Sequence, residues 1–254
     1  LSMNGKDNTL YYHDSTLANG AGDNSYRYAG ASNSVNNYIC LGSDEATCPE
    51  ANLFRIIGVF GDQTKVIRAK SVGDQKWNTS DSNTWSSSSL NTYLNGTYLT
   101  SLGTLAEKIA TTTWKVGGNT SNNIAKSIPS VAYQNEIVAP VENITYDAKI
   151  GLMYVSDYYY GASPSAWTLV GYDSDATKDY RFSKGENWLY GGGWDWTISR
   201  NSDLSGNAFF VYYDGDVRSD YVGRNYGVRP SFSLLSSTTY VSGSGSMSDP
   251  VRVN

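Results

Sequence analysis

Histidine is all but missing: His13 is the only one among 254 residues. An imidazole base for a serine or cysteine nucleophile would have to be this residue. It stands in "LYYHDS", within a weakly patterned N-terminal stretch, where a surface or packing role is expected. No G-x-S-x-G turn is present to hold a nucleophilic serine. Charge is also scarce, at 17% of residues with a net charge of −5. Nucleic-acid binding needs a basic face to neutralise phosphate, so that class is excluded. No apolar run approaches the ~18 residues of a membrane span. The N-terminal Leu1–Gly5 lacks a basic and an apolar segment, and reads as the cut edge of a longer chain whose signal or anchor has been removed.

Cysteine is limited to Cys40 and Cys48, in "NYICLGSDEATCPEANLFRIIGVF". A disulfide between them closes a short loop and would stabilise by roughly 2.5 kcal/mol on the chain-entropy account. It also places the protein outside the cell; two buried free thiols are the alternative. A cysteine nucleophile is disfavoured because the two are close enough to pair. Phenylalanine is scarce too, at 6 against 21 tyrosines. A buried phenol needs a hydrogen-bond partner, so many tyrosines should lie half-exposed with a wet tip, as they do on recognition surfaces.

What is present is a succession of short strands, two helical stretches and long polar loops, an α+β arrangement in one domain spanning residues 1–254. Residues 1–36 are Gly- and Asn-rich and predict an extended N-terminal wrap with short strands. "NLFRIIGVFG" and "TKVIRAK" joined by Gly61-Asp62 predict a hairpin. Trp85, Leu90, Tyr93 and Leu94 predict one short helix stopped by Gly96, and Leu102, Leu105, Ala106 and Ile109 a second. Residues 117–146 read as a connection, Ile150 to Val155 as a buried strand, and residues 161–187 as loop. "WDWTISR", "GNAFFVYYDGDV" and "YGVRPSFSLL" read as late strands, with Pro230 tolerable only at an edge or bulge. A short terminal strand closes the chain.

Most candidate chemistry is incomplete. Asp173, Asp175 and Asp179 cluster in "YDSDATKDY", but an EF-hand needs Gly and Glu where Lys178 and Lys184 stand. No cofactor is expected; only a loosely bound Ca²⁺ in that loop is compatible, against turns built by Asp side chains. Three glycines in "WLYGGGWDW" lack the Lys and Ser/Thr of a phosphate loop. Glu186, Asp195 and Asp157 are candidates for a glycosidase carboxylate pair, the basis of an alternative reading as a carbohydrate-active enzyme.

The stretch "AFFVYYDGDVRSDYVGRNYGVRPSF" (208–232) carries the strongest signal. Strand alternation turns Phe209, Val211 and Tyr213 toward the core and Phe210 and Tyr212 outward. After Asp214-Gly215-Asp216 the chain returns bearing Arg218, Asp220, Tyr221, Arg224, Asn225 and Tyr226, and neighbouring segments add Trp194, Trp196, Arg200, Asn201 and Asn207. Aromatic and Arg side chains give large contact area at low entropic cost and are enriched at binding hot spots. These fifteen residues form the expected ligand-binding surface; mutual Asp–Arg pairing with rings over the core is the alternative. Arg229 is expected to serve packing or a salt bridge inside the fold.

The Gly192, Gly193, Trp194 stretch, with the closing Gly227, Val228, Arg229, resembles the C-terminal half of C-type-lectin-like domains of the formylglycine-generating-enzyme type. Over roughly residues 24–254 the chain also resembles a group of bacterial surface proteins, sharing "NYICLGSDEATCPEANLFRIIGVFGD", "IATTTWKVGG", "AKIGLMYVSDYYYGA", "WDWTISR" and "YGVRPSFSL" in this order. Many of those relatives begin with a prepilin-like or other hydrophobic helix. The resemblance implies a C-type-lectin-like fold of antiparallel strands, two short helices and long loops. It implies an extracellular, non-catalytic adhesin or receptor-binding module, on a pilus or cell surface, with a protein or glycan as partner. A structural subunit that assembles with other surface subunits is the alternative. The formylglycine-generating activity needs a late Cys pair, and no Cys follows Cys48. The Glu-Pro-Asn, Gln-Pro-Asp and Trp-Asn-Asp motifs of Ca²⁺-dependent sugar binding are absent. In some relatives a retroelement diversifies the C-terminal loops by mutating adenines. Phe210, Arg218, Ser219, Asp220, Gly223, Asn225 and Tyr226 are residue types that such a process yields.

Overall fold

A computed structural model describes residues 9–171, 175 and 177–254. The described chain is mixed α+β, with two open sheets, a separate two-stranded sheet and a few short helices. The first sheet holds β1 (Leu10–His13), β2 (Ser25–Tyr28), β3 (Tyr38–Cys40), β4 (Leu53–Phe60) and β5 (Gln63–Arg68). The second begins with β6 (Asp74–Lys76), and β7 (Thr112–Lys115) pairs with β8 (Thr145–Ala148) in a two-stranded sheet of its own. The second sheet is completed by β9 (Asp195–Arg200), β10 (Asn207–Val211), β11 (Val217–Tyr221) and β12 (Asn225–Gly227). β13 (Ser231–Ser233), β14 (Tyr240–Ser242) and β15 (Val251–Val253) return to the first. The first sheet runs β1-β2-β4-β3-β15-β14, with β5 on β4 and β13 on β5; the second runs β11-β10-β9-β12-β6.

The Gly61-Asp62 hairpin forms: β4 and β5 pair antiparallel from Phe60↔Gln63 to Phe54↔Arg68. Gly61 at φ +62° turns the chain, a conformation that costs glycine nothing. β4 is apolar at neighbouring as well as alternate positions because it is central and its first six residues are buried. Arg55 interrupts the run and is itself buried, with its guanidinium donating to Asn37 and Val35 O. β2 crosses it so closely that a Cβ at Gly58 would sit 2.0 Å from the Tyr26 carbonyl. Within residues 9–36, β1 and β2 pair in register and join the sheet through β4. Most pairings are antiparallel; β15–β3 and β12–β9 are parallel.

The helical layer departs from the sequence pattern in several places. The first helix, α1 (Ser89–Tyr93), is capped by the Ser88 side chain, which accepts from Asn91 N. It does not stop at Gly96 but continues as a π-turn (Leu94–Tyr98) into α2 (Leu99–Ser101). The second expected helix is a 3₁₀ segment, Gly103–Lys108. The polar connection 117–146 contains α3 (Pro129–Tyr133), started by Pro129 at a position where its missing N–H is harmless. The expected strand at Ile150–Val155 is corrected: only Gly151 bridges to Ser231, and Val155 opens α4 (Val155–Tyr160). Its sequence, VSDYYY, is buried on every side, so neither a helical nor a strand period shows. The loop 161–187 contains a 3₁₀ segment, Tyr180–Glu186.

The strand expected over "YGVRPSFSLL" is two strands in different sheets. β12 pairs with β6 and β9, and β13 pairs with β5. Val228–Pro230 carries the chain across, so the missing N–H of Pro230 leaves no ladder bond unmade, while its carbonyl accepts from Arg68 N (2.9 Å). Arg229 holds the crossing: Nη1 donates to Leu189 O (2.7 Å), Nε donates to Arg68 O (3.1 Å), and Asp195 lies 3.7 Å away. Cys40 and Cys48 form a disulfide. Among the described residues no helix is long and apolar enough to cross a membrane.

Candidate functional site

The outer face of the second sheet is built by cross-strand register. Phe210 lies opposite Trp196 on one side and Arg218 on the other. Trp196, Phe210 and Tyr226 pack ring to ring, with centroids 4.6–5.8 Å apart. They are 1%, 3% and 5% exposed. The expectation that Phe210 faces solvent is therefore corrected. Alternation does turn it outward, but Trp194, on the segment entering β9, folds over it with its centroid 6.2 Å away. Tyr213, expected in the core, is 52% exposed because β10 ends at Val211 and the turn reverses its direction. Trp196 Nε1 donates to Gln75 O (2.9 Å), and the Tyr226 hydroxyl donates to Asp220 (2.5 Å). Burial and then the Asp220 charge hold the Tyr226 phenol well above its ordinary range.

On this buried base lies a second layer that reaches solvent. Trp194 is 40% exposed and contacts Tyr212, Tyr213 and Tyr226 at centroid distances of 5.2, 6.5 and 4.8 Å. The Trp194 and Tyr213 planes are within 19° of parallel. The Arg218 guanidinium lies 3.7 Å over the Tyr212 ring, a cation–π contact. Arg218 Nε also donates to Asp216 (2.9 Å) and Nη2 to Asp214 (3.2 Å). Gly215 at φ +99° closes the turn between those carboxylates. The Tyr190 hydroxyl donates to Tyr213 O, and the Tyr221 hydroxyl donates to Asp81. Arg224 stands 3.9 Å from Asp220, and Asn225 is exposed. Asp216 is buried, which pushes its carboxyl up to about 7; Asp214 adds to the rise and Arg218 opposes it.

The other expected site residues fall elsewhere. Arg200 ties β9 to the 117–142 segment, donating to Gly117 O (2.8 Å) and Glu142 (2.7 Å). Asn201 is buried, donating to Ser121 and Ser219 hydroxyls. Asn207 is half-buried at the start of β10, where its carbonyl accepts from Asn83. The expected surface thus divides into a solvent layer, a buried base of Trp196, Phe210, Tyr226 and Asp216, and three positions that fasten the sheet.

The three glycosidase candidates each have a separate partner. Asp195 pairs with Arg229, Glu186 accepts from Ser163, and Asp157 takes Lys65. Burial raises the Asp195 carboxyl against the pull of Arg229. Asp173 lies outside the described residues. Asp175 accepts from Thr177, and Asp179 pairs with Arg181. Among the described residues no three His, Cys, Asp or Glu side chains converge on a metal-sized site.

Sequence reasoning missed a second cluster, between the first sheet and α4. Lys65 Nζ contacts Asp157 Oδ2 at 2.5 Å, and Arg27 bridges Asp157 (3.6 Å) and Asp23 (2.6 Å). Glu136 accepts from Val155 N (3.0 Å), Ser156 N (2.8 Å) and the Ser199 hydroxyl. Burial lowers Lys65, with Asp157 pulling the other way, and raises Glu136. A cavity of about 260 Å³ adjoins Lys65, walled by Phe60, Trp114, Tyr133, Ile137 and Tyr154. No local pattern reveals the cluster, since Lys65 and Asp157 are 92 positions apart.

These features define an α+β protein with an aromatic outer surface and a buried cluster of ionisable side chains. Residues 61–236 match DUF6273, a domain of unknown function, and the chain belongs to that family. No curated protein and no solved structure matches the chain.

Proposed function

We propose that this protein is a non-catalytic, extracellular ligand-binding module, an adhesin or receptor-binding domain, whose contact surface is the solvent layer on β9–β12. The carrying observation is the arrangement of Trp194, Tyr212, Tyr213 and Arg218. These are partly exposed and flat, and they are held by a buried aromatic base and two carboxylates. Side chains already fixed lose little entropy on contact, which is the requirement for a binding hot spot. The ligand favoured is a glycan: near-parallel exposed rings accept the apolar face of a sugar, while Asp214, Arg224 and Asn225 supply hydrogen bonds at the rim. The extracellular setting rests on the Cys40–Cys48 disulfide. We further propose that the strand arrangement is C-type-lectin-like, as the Gly192-Gly193-Trp194 and Gly227-Val228-Arg229 stretches indicate; an experimentally determined structure superposed on such domains tests that part.

A glycan array with the wild-type chain and with Trp194→Ala tests the function. Binding of one glycan class, reduced at least tenfold in the variant, is the supporting result. Capture of a protein partner that Trp194→Ala also abolishes would keep the surface and replace the ligand. Wild-type binding by Trp194→Ala and Arg218→Ala alike would show that the surface is wrong.

A further inference from the structure

The Lys65–Asp157 contact joins a β5 side chain to an α4 side chain across 92 positions, and both ends are buried beside the cavity. Three aromatic rings surround Nζ, with centroids 4.6 Å (Tyr154), 5.4 Å (Trp114) and 5.6 Å (Phe60) away. We propose that Lys65 and Asp157 condense after folding into an intramolecular isopeptide bond, a covalent tie between the first sheet and α4.

Three features of the site support the step. The first is proximity: folding holds amine and carboxyl in contact, which turns an improbable bimolecular encounter into a unimolecular one. The second is polarity. A buried ion pair bears the desolvation of both charges, and condensation to a neutral amide removes both. Arg27 and Asp23 remain paired with each other at 2.6 Å, so the reaction leaves no cation or anion of that group alone. Burial already biases Lys65 toward the neutral amine that a nucleophile must be. The third is the division of the carboxylate. Oδ2 meets Lys65, while Oδ1 lies 3.6 Å from Arg27 Nη1.

The step balances without any co-reactant. Nζ passes one proton to Oδ2 across the contact, giving an amine and a carboxylic acid. The amine lone pair forms the Nζ–Cγ bond, and the carbonyl electrons move to Oδ1, where the Arg27 charge stabilises them. The intermediate collapses by breaking Cγ–Oδ2. A second Nζ proton goes to the departing oxygen, so it leaves as water through the adjoining cavity. The product is one amide N–H and one carbonyl.

Intact-mass spectrometry of the whole folded chain, reduced and denatured just before measurement, is the test. The expected mass is that of the sequence less one water, and a protease digest yields one branched peptide joining the segments that hold Lys65 and Asp157. Lys65→Arg should show the full sequence mass. Asp157→Asn, which keeps the shape, should lose ammonia instead of water. Should either variant fail to fold, the wild-type mass and branched peptide decide alone. A natively folded wild-type chain that keeps its full mass after prolonged incubation overturns the proposal. So does a lost water confined to the Asp157 peptide, which would be a cyclic imide.

Discussion

The outer aromatic face and the inner ionic cluster solve opposite problems with the same residue types. On β10–β12 the rings lie outside and the charges beside them are paired by near neighbours in sequence: Arg218 with Asp214 and Asp216, Arg224 with Asp220. Beneath the first sheet the rings enclose the charges, and beyond the local Arg27–Asp23 pair the network joins distant segments, Lys65 and Arg27 both meeting Asp157. The outer arrangement orders a surface at small cost, because partly exposed ion pairs contribute little to stability. The inner one couples β2, β5 and α4 so tightly that each charge depends on the others. One region is ordered at the solvent boundary, as the proposed binding function requires, and the other ties the first sheet to α4.

Breaking the inner cluster gives the largest expected effect. Lys65→Met removes the partner of Asp157, whether ion or amide, and leaves a buried carboxylate whose remaining cation is the more distant Arg27; it should cost at least about 3–5 kcal/mol in denaturant unfolding. The double variant Lys65→Met, Asp157→Leu should cost less than the two single changes added together, because it removes both charges.

Within the outer region two tryptophans should separate base from surface. Trp196→Ala empties the base and should cost about 3–5 kcal/mol of stability. Trp194→Ala, two residues earlier and 40% exposed, should cost about 1 kcal/mol while removing most of the binding. Equal losses of stability would mean that the two layers are one.

Acid sharpens the inner side. His13 is buried against Tyr160 and Trp167, and its Nδ1 accepts from Ala21 N. Burial, then the Arg27 charge, lowers it from 6.5 to about 3. Between those values the unfolded chain takes up a proton that the folded chain refuses. Stability attached to His13 is therefore complete above pH 6.5 and lost as pH falls toward 3, by up to about 1.4 kcal/mol per pH unit. His13→Phe should flatten that slope in pH-dependent thermal unfolding.

The smallest effect is on the outer turn, with the opposite sign. Asp216 is raised from 3.8 to about 7, so between those values the folded state holds a proton that the unfolded state has released. Its contribution is complete below pH 3.8 and declines as pH rises to about 7. Asp216→Asn should remove this component, and an NMR titration of the side chain should show its midpoint near neutrality.

Sequence patterning revealed what local chemistry controls. The Gly61 hairpin, the Cys40–Cys48 pair and the strands β9 and β10 each carry their cause within a few residues, whereas the split of "YGVRPSFSLL" between two sheets does not. The division of the 208–226 stretch into surface and base was hidden, because the cover over Phe210 is Trp194, and alternation within β10 cannot see a ring from another segment. The α4 helix was hidden because two of its first N–H groups, Val155 and Ser156, are satisfied from afar by Glu136; only the Tyr154 N–H has a local acceptor, Asp157. Lys65 in "TKVIRAK" is indistinguishable by pattern from a solvated strand lysine. Only the placement of Asp157 makes it an interior residue.

The loop between the two cysteines is fastened twice. Arg252 in β15 donates to the carbonyls of Ser43 (2.8 Å) and Glu45 (2.7 Å), reaching into the segment that the disulfide encloses. A thiol reductant that opens the sulfur bridge would therefore leave the segment still gripped by the chain's last strand. Redox conditions should govern how quickly this corner frays on heating rather than whether it adopts its shape, and loss of Arg252 together with reduction should release it.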